Sequence, residues 1–518
     1  MDRVFRGALV ALALGAPLAT AAPDQATTQA CTEIKNALPG KVLTTGLLAV
    51  EYAYEKQQYW SMTQRSTDPA CIVQPVSAED VSAVVKILLK YPTVKMATRS
   101  GGHDPNVGHN GVEDGVLITM TDMVGATYDA TKGVAYVKPG GEWNDVIGDL
   151  EPSGVTMLGG RLGIVGVGGL LLGGGLSFLS AQHGLAADNI IGWETVMANG
   201  SIINIDAKSQ PELAKAMRGS GSQFGIVTTF TVQTVPIGDI WGGSCVYALN
   251  QSEALYAALH NFVANGAQDP KAAVIFTDLL LLDGTSLKLL YYFYDGPTPP
   301  KSGPFADFFK IPNLTCLPRT QKSAQTAPQS LSSKPAAPSA FVSPPPSPIP
   351  TNPNQTYTLP YIATRPQMYQ DIQAKWSSII KPFANLLHPT SQFSVDFQPF
   401  PAAIGAQSAA KGGNAMGLSA SDADLVILEI QGSWALPEDD AVAYSLSKQL
   451  TDWLDQEVPL WLDEAGMRRD IYRPLYLNDA AGDQAVMQSY KEYEQLKALQ
   501  MQYDPNGLWR ERAGGFKY

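Results

Sequence analysis

The chain has 518 residues, 45% of them hydrophobic and only 16% charged, which excludes a disordered polymer and suits two to four packed domains. Its formal net charge of −12 opposes unspecific attraction to nucleic acid or acidic membranes. After the N-terminus no stretch approaches the roughly 18 uninterrupted apolar residues that a membrane span requires.

Residues 1–21 read as a signal peptide: basic Arg3 and Arg6, an apolar run from Ala8 to Leu18, then small Ala19, Thr20 and Ala21. Cleavage there removes two arginines and one aspartate, leaving −13 on a secreted chain. In an oxidising compartment Cys31 and Cys71 are candidates for a bridge, while Cys245 and Cys316 fit a second bridge and two buried thiols equally well. Sequons at Asn199, Asn250, Asn313 and Asn354 agree with secretion, although such short patterns also arise by chance.

A short strand after Cys71 precedes a helix that Ser77 can cap, with Val81, Val84, Val85 and Leu88 on one face. A strand from Val94 to Thr98 then leads into "RSGGHDPNVGHNG", Arg99 to Gly111. Two alternating strands, "GVLITM" and "GVAYVKPG", and a helix around "EWNDVIGDL" follow. "WETVMANGSIINID" predicts a hairpin with a type I′ turn at Asn-Gly. Beyond Pro236 the pattern shifts to a long hairpin around Asp283-Gly284, a strand "LVILEIQGSW", and a helix burying Val442, Leu446, Leu450 and Trp453 or Leu454. Such strands with one helix-covered face predict a second, antiparallel α+β domain. Ser323 to Thr356 is too rich in proline and serine to pack and reads as a disordered insertion.

No G-x-G-x-x-G, P-loop, G-x-S-x-G or H-E-x-x-H motif occurs, so Rossmann, NTPase, serine-hydrolase and zincin chemistry lose their usual support, and no metal site is expected. What remains is glycine: the loop before His103, a second concentration from Gly159 to Ile190, and "AKAMRGSGSQFGIVTTFTV". Exposed main-chain N–H groups in such loops hold anions without basic side chains. Two such loops suggest a long, phosphate-bearing ligand, although for either alone tight strand packing would explain the glycines.

In this order, "RSGGH", "VGVGG…GGG…HGLAADNI", "MRGSGSQFGIVTTF" and "YDPNGLW…GGFKY" closely resemble the secreted fungal FAD-linked oxidoreductases of the berberine-bridge-enzyme-like branch, within the vanillyl-alcohol-oxidase or PCMH-type class. The resemblance spans nearly the whole mature chain. It implies an α+β fold: a two-lobed FAD-binding domain at 22–236 with its core at about 67–236, a substrate domain at 237–468 with an antiparallel sheet covered by helices, and a segment 469–518 returning to the first domain.

It further implies FAD attached covalently through His103, cradled by Arg99, Ser100, Gly101, Gly102, Gly108, Leu162, Val165, Gly166, Gly169, Gly174, Asn189, Gly225, Ile226, Val227 and Asn478. Many relatives carry a second, cysteine tether where this chain has Leu162, so a single tether is expected and an oligosaccharide substrate is disfavoured. Val165 resembles the oxygen-reactive type. Asp479, Tyr476 and Glu429 are candidate proton acceptors, with ordinary alternatives for two of them: a helix cap or flavin contact for Asp479, an outward surface position for Glu429. The expected reaction is hydride transfer from a small alcohol, phenolic or secondary metabolite to FAD, with O2 as reoxidant and H2O2 as product. Rivals are a dehydrogenase using another acceptor, a carbohydrate oxidase, and a non-catalytic secreted binding protein.

Overall fold

A computed structural model describes residues 23–46, 49–265, 268–281, 286–321, 355–383, 391–434, 436 and 439–518. The signal-peptide reading, Asn354, the Asp283-Gly284 turn and the insertion up to residue 354 lie outside these. Gln355 and Thr356, expected at the insertion's end, instead begin a fully buried strand, Gln355–Pro360.

Among the described residues three large sheets organise the chain, with a two-stranded pair, Val155–Thr156 and Val235–Pro236, beside them. The first has the order Val42–Thr44, Cys71–Val73, Val116–Thr119, Met96–Arg99, with the last three parallel. Helix Ala78–Leu88 packs beside it, capped as predicted by Ser77, whose hydroxyl accepts from the Asp80 N–H at 3.2 Å. Cys31 and Cys71 form a disulfide, fastening helix Gln25–Ala37 to this sheet.

The second sheet is antiparallel: Ala126–Asp129, Val134–Val137, Ile226–Gln233, Ile190–Val196, Ile202–Asp206. Its last pair is the predicted hairpin, but the turn differs. Type I′ needs two positive φ values and only Gly200 has one, at +76°. Met197 N–H donates to the Ser201 carbonyl at 2.9 Å, closing a three-residue loop that ends on the left-handed glycine.

The third sheet is a large antiparallel one in which Ile240–Ala248, Ser286–Tyr294, Ala272–Leu281, Gln392–Phe400, Leu425–Ser433 and Gln355–Pro360 are successive neighbours. Thr315–Cys316 lies on its edge, where a Cys245–Cys316 disulfide closes the question left by the sequence in favour of a second bridge. Helices Ser252–Asn265, Met368–Ile380 and Asp440–Glu464 cover one face with a core of its own. In the last helix Leu446, Leu450 and Leu454 are buried, while Val442 and Trp453 are only partly so.

The strand period of two decides what the other face carries. Phe393, Val395 and Phe397 enter the helix-covered core, as do Val426, Leu428 and Ile430. Asp396, Gln398, Glu429 and Gln431 therefore share the opposite face, toward the core that joins this sheet to the second one. The C-terminal residues return to the first sheet: Leu508 and Trp509 pack among Ala30, Val84 and Val116, and Ala513 bridges Met96.

Candidate active site

Strand Met96–Arg99 delivers the chain to His103, and the glycines before it are required by the protein itself. A Cβ on Gly101 would stand 2.5 Å from the Gly166 Cα, and one on Gly166 would stand 2.4 Å from the Gly101 nitrogen. Gly102 has φ +68°, and a Cβ there would meet the Gln58 carbonyl at 2.3 Å. The two glycine concentrations of the sequence thus meet as a single unit, backbone against backbone. Ser100 fastens it: its hydroxyl donates to the Pro139 carbonyl at 2.5 Å and accepts from the Gly168 N–H at 3.1 Å.

His103 stacks on Trp60 with ring centroids 4.9 Å apart and planes 16° from parallel. Trp60 also donates its main-chain N–H to the Gly102 carbonyl at 2.9 Å. Enclosure pushes the imidazole down to about 4, so it is neutral at pH 7, and its Nε2 is buried with no protein partner. Asn106, on the same loop, donates to the Ala480 carbonyl at 2.9 Å and accepts from the Gly482 N–H at 2.7 Å. The histidine loop is thereby braced against the segment that carries Asp479.

Other expected cradle residues divide by role. Arg99 is fully buried, paired with Glu55 and donating to the Glu55 carbonyl at 2.8 Å, so its guanidinium holds the protein together rather than a ligand. Asn189 is likewise occupied: it donates to the carbonyls of His183 and Leu185, and its Oδ1 accepts from Lys411. The Oδ1 of Asn478 accepts from the Gly175 N–H at 3.0 Å, gripping the end of the short glycine helix Val167–Gly173, in which Gly166 is the N-terminal cap. Gly174 follows that helix with φ +115°. Val165 is partly buried against the core and Leu162 is exposed. Ile226 and Val227 are buried in strand Ile226–Gln233, preceded by Gly225, where a Cβ would strike the Val196 carbonyl at 2.6 Å. Gly108 and Gly169, in contrast, face open space. A neutral, orphaned imidazole beside two touching main-chain loops fits a flat, phosphate-bearing cofactor.

Across the third sheet a row of polar side chains follows one register line: Thr277 opposite Asp396, Asp396 opposite Glu429, Glu429 opposite Thr356. Asp479 joins this row from the short helical turn Leu477–Asp479. Arg161 donates to Gln398, whose Nε2 donates to Asp479 at 2.9 Å, and Gln431 donates to Asp396 at 2.7 Å. Three acidic groups therefore share one arginine. Burial raises all three: Asp396 is pushed up to about 7, further lifted by the charge of Asp479, and Glu429 lies well above the usual carboxylate range, lifted also by Asp479 and Asp396. Asp479 is raised less freely, because Arg161 and Gln398 stabilise its charge.

Glu429 is thus no outward surface residue. Tyr476, fully enclosed, accepts from the Leu176 N–H at 2.5 Å, and burial holds its phenol well above its ordinary value, so it stays protonated and positions the glycine segment rather than taking a proton. Trp60, Arg161, Asp396 and Gln398 escaped the sequence reading. Only alternation along "QFSVDFQPF", with Asp396 and Gln398 between phenylalanines, signalled any of them.

Residues 69–206 match the family described as FAD binding domain. An uncharacterized FAD-linked oxidoreductase of Arthroderma benhamiae is 32% identical over 475 residues, covering 90% of this chain and 91% of that protein. The chain is an FAD-linked oxidoreductase of the PCMH-type, berberine-bridge-enzyme-like family. An FAD-dependent monooxygenase of Aspergillus calidoustus is also 32% identical, across 99% of this chain and 95% of its own length. Among solved structures, the xylooligosaccharide oxidase of Myceliophthora thermophila superposes with TM-score 0.71 at 20% identity, over 95% of this chain and 99% of its own. Berberine-bridge-like protein 1 of Physcomitrella patens gives 0.71 at 16%, over 94% and 99%. These likenesses carry the fold. The oxidoreductase is thus built as expected: mixed helices and sheets, with an antiparallel sheet covered by helices.

Proposed function

We infer that this oxidoreductase removes a hydride and a proton from an alcohol, phenol or related secondary metabolite, with FAD attached through His103 alone and dioxygen as final acceptor, giving hydrogen peroxide. The observation that carries the reading is the acidic row beside Arg161, where Asp396 lies opposite Glu429 across the sheet, Gln398 ties Asp479 to the same arginine, and burial raises all three carboxyls. Bound FAD supplies the two-electron acceptor, which no side chain here can provide.

His103 would hold the cofactor, its neutral nitrogen serving as the nucleophile that attachment requires. Asp479 is the favoured proton acceptor, because Gln398 and Arg161 keep it the most readily ionised of the three. Glu429 and Asp396 retain protons, so they set no further negative charge beside the ionised Asp479 that takes the proton as substrate is oxidised. Tyr476 and Asn478 hold the glycine segment in register with this row. Two disulfides, exposed sequon asparagines at Asn199, Asn250 and Asn313, and the N-terminal sequence support secretion.

Acid precipitation tests the tether: wild-type protein should retain yellow colour in the pellet, and His103→Ala should release it. Peroxide measured with and without an artificial electron acceptor separates oxidase from dehydrogenase. A holoprotein whose flavin is bleached by no alcohol or phenol in a broad panel would end the reading.

A further inference from the structure

Building on that reading, we propose that the substrate is a largely apolar, uncharged molecule bearing a hydroxyl or carbonyl oxygen, and that its body lies in the cleft extending from Arg161. That cleft is partly open to solvent and lined mainly by apolar side chains, as small-molecule sites are. Its walls include Leu176, Phe178, Phe262, Val274 and Ile404. Polar side chains are few, and the two serines are engaged within their own turn: the Ser180 hydroxyl accepts from the Ser177 N–H at 2.9 Å, and the Ser177 hydroxyl from the Leu179 N–H at 3.3 Å. Arg161 is left to address a ligand oxygen, and through Gln398 it connects the cleft to Asp479.

Chemistry on each side narrows the occupant. A sugar would bring several hydroxyls to walls whose side-chain partners are Arg161 and two already engaged serines, and each hydroxyl left buried and unpaired costs about 1–3 kcal/mol. An anion would meet the charge of Asp479, which already draws on Arg161 through Gln398. Phe178 also lines a second, more open crevice, where it stacks on Phe293 with centroids 4.9 Å apart, so apolar surface extends past the first cleft.

Isothermal titration of the purified holoprotein with 2-naphthol, 2-naphthoate and xylobiose tests the proposal without turnover. We expect 2-naphthol to bind at least ten times more tightly than either other probe, with a negative heat-capacity change. Ala273→Trp and Ala181→Phe, two independent ways of filling the cleft, should each weaken 2-naphthol at least tenfold at unchanged flavin content. Equal or tighter binding of xylobiose or 2-naphthoate overturns the proposal, as does 2-naphthol binding that ignores both substitutions. Tight, cleft-dependent binding in a protein that oxidises no alcohol or phenol would leave the cleft assignment standing and remove the proposed reaction.

Discussion

Replacing Asp396 with asparagine probes the acidic row through stability. Burial holds this carboxyl at about 7, against 3.8 for a free aspartate. The native state therefore keeps a proton that the unfolded chain gives up as pH climbs from about 4 to about 7, and stability falls across that window. At about 1.4 kcal/mol per pH unit the full interval is worth about 4 kcal/mol, of which about 3 kcal/mol is lost between pH 5 and pH 8. Asparagine preserves the shape and an acceptor for Gln431 but has no proton to lose. Denaturant midpoints measured at both pH values should show the wild type losing about 3 kcal/mol more than Asp396→Asn. Equal losses would mean that Asp396 is already ionised in the fold, and the account of the row would be wrong.

Gly101→Ala places a methyl 2.5 Å from the Gly166 Cα, where only backbone movement can relieve it; a loss of about 1–3 kcal/mol together with reduced flavin content is expected from thermal midpoints and absorbance. Tyr476→Phe strands the buried Leu176 N–H, costing about 1–3 kcal/mol, and should lower kcat less than tenfold; a fall of 100-fold or more would restore the phenol as the proton acceptor. Cys31→Ser opens a bridge spanning 40 residues, worth roughly 4 kcal/mol in the chain-entropy picture, and should lower the unfolding midpoint without altering the flavin spectrum.

Local signals proved dependable where one segment decides its own structure. Ser77 followed by acidic first-turn residues specified a helix, and alternation specified strands Val116–Thr119 and Val134–Val137. The glycines before His103 announced close approach, but not whether the approaching group was cofactor or protein. That answer needs Gly166, more than sixty residues away, and no periodicity links the two. Glu429 was visible as a strand residue on "LVILEIQG", yet its partner across the sheet, Asp396, became meaningful only once register set them side by side. Arg161 sat in a glycine-rich run where a charge reads as solvent-exposed. Its role depends on Gln398, which lies 237 residues further along, on a strand of the third sheet. Hydrogen-bond registry between distant strands, set by the packed whole, supplied what single-segment reading lacked.

Asn106 draws together parts of the chain separated by some 375 residues, and a Cβ on Gly514 would strike the His109 carbonyl at 2.0 Å, so the histidine loop is walled by polypeptide made long after it. During synthesis that loop lacks its wall until residue 514 has left the ribosome. Truncations that spare every glycine of the two loops and His103 but remove residues 479–518 should therefore yield colourless protein.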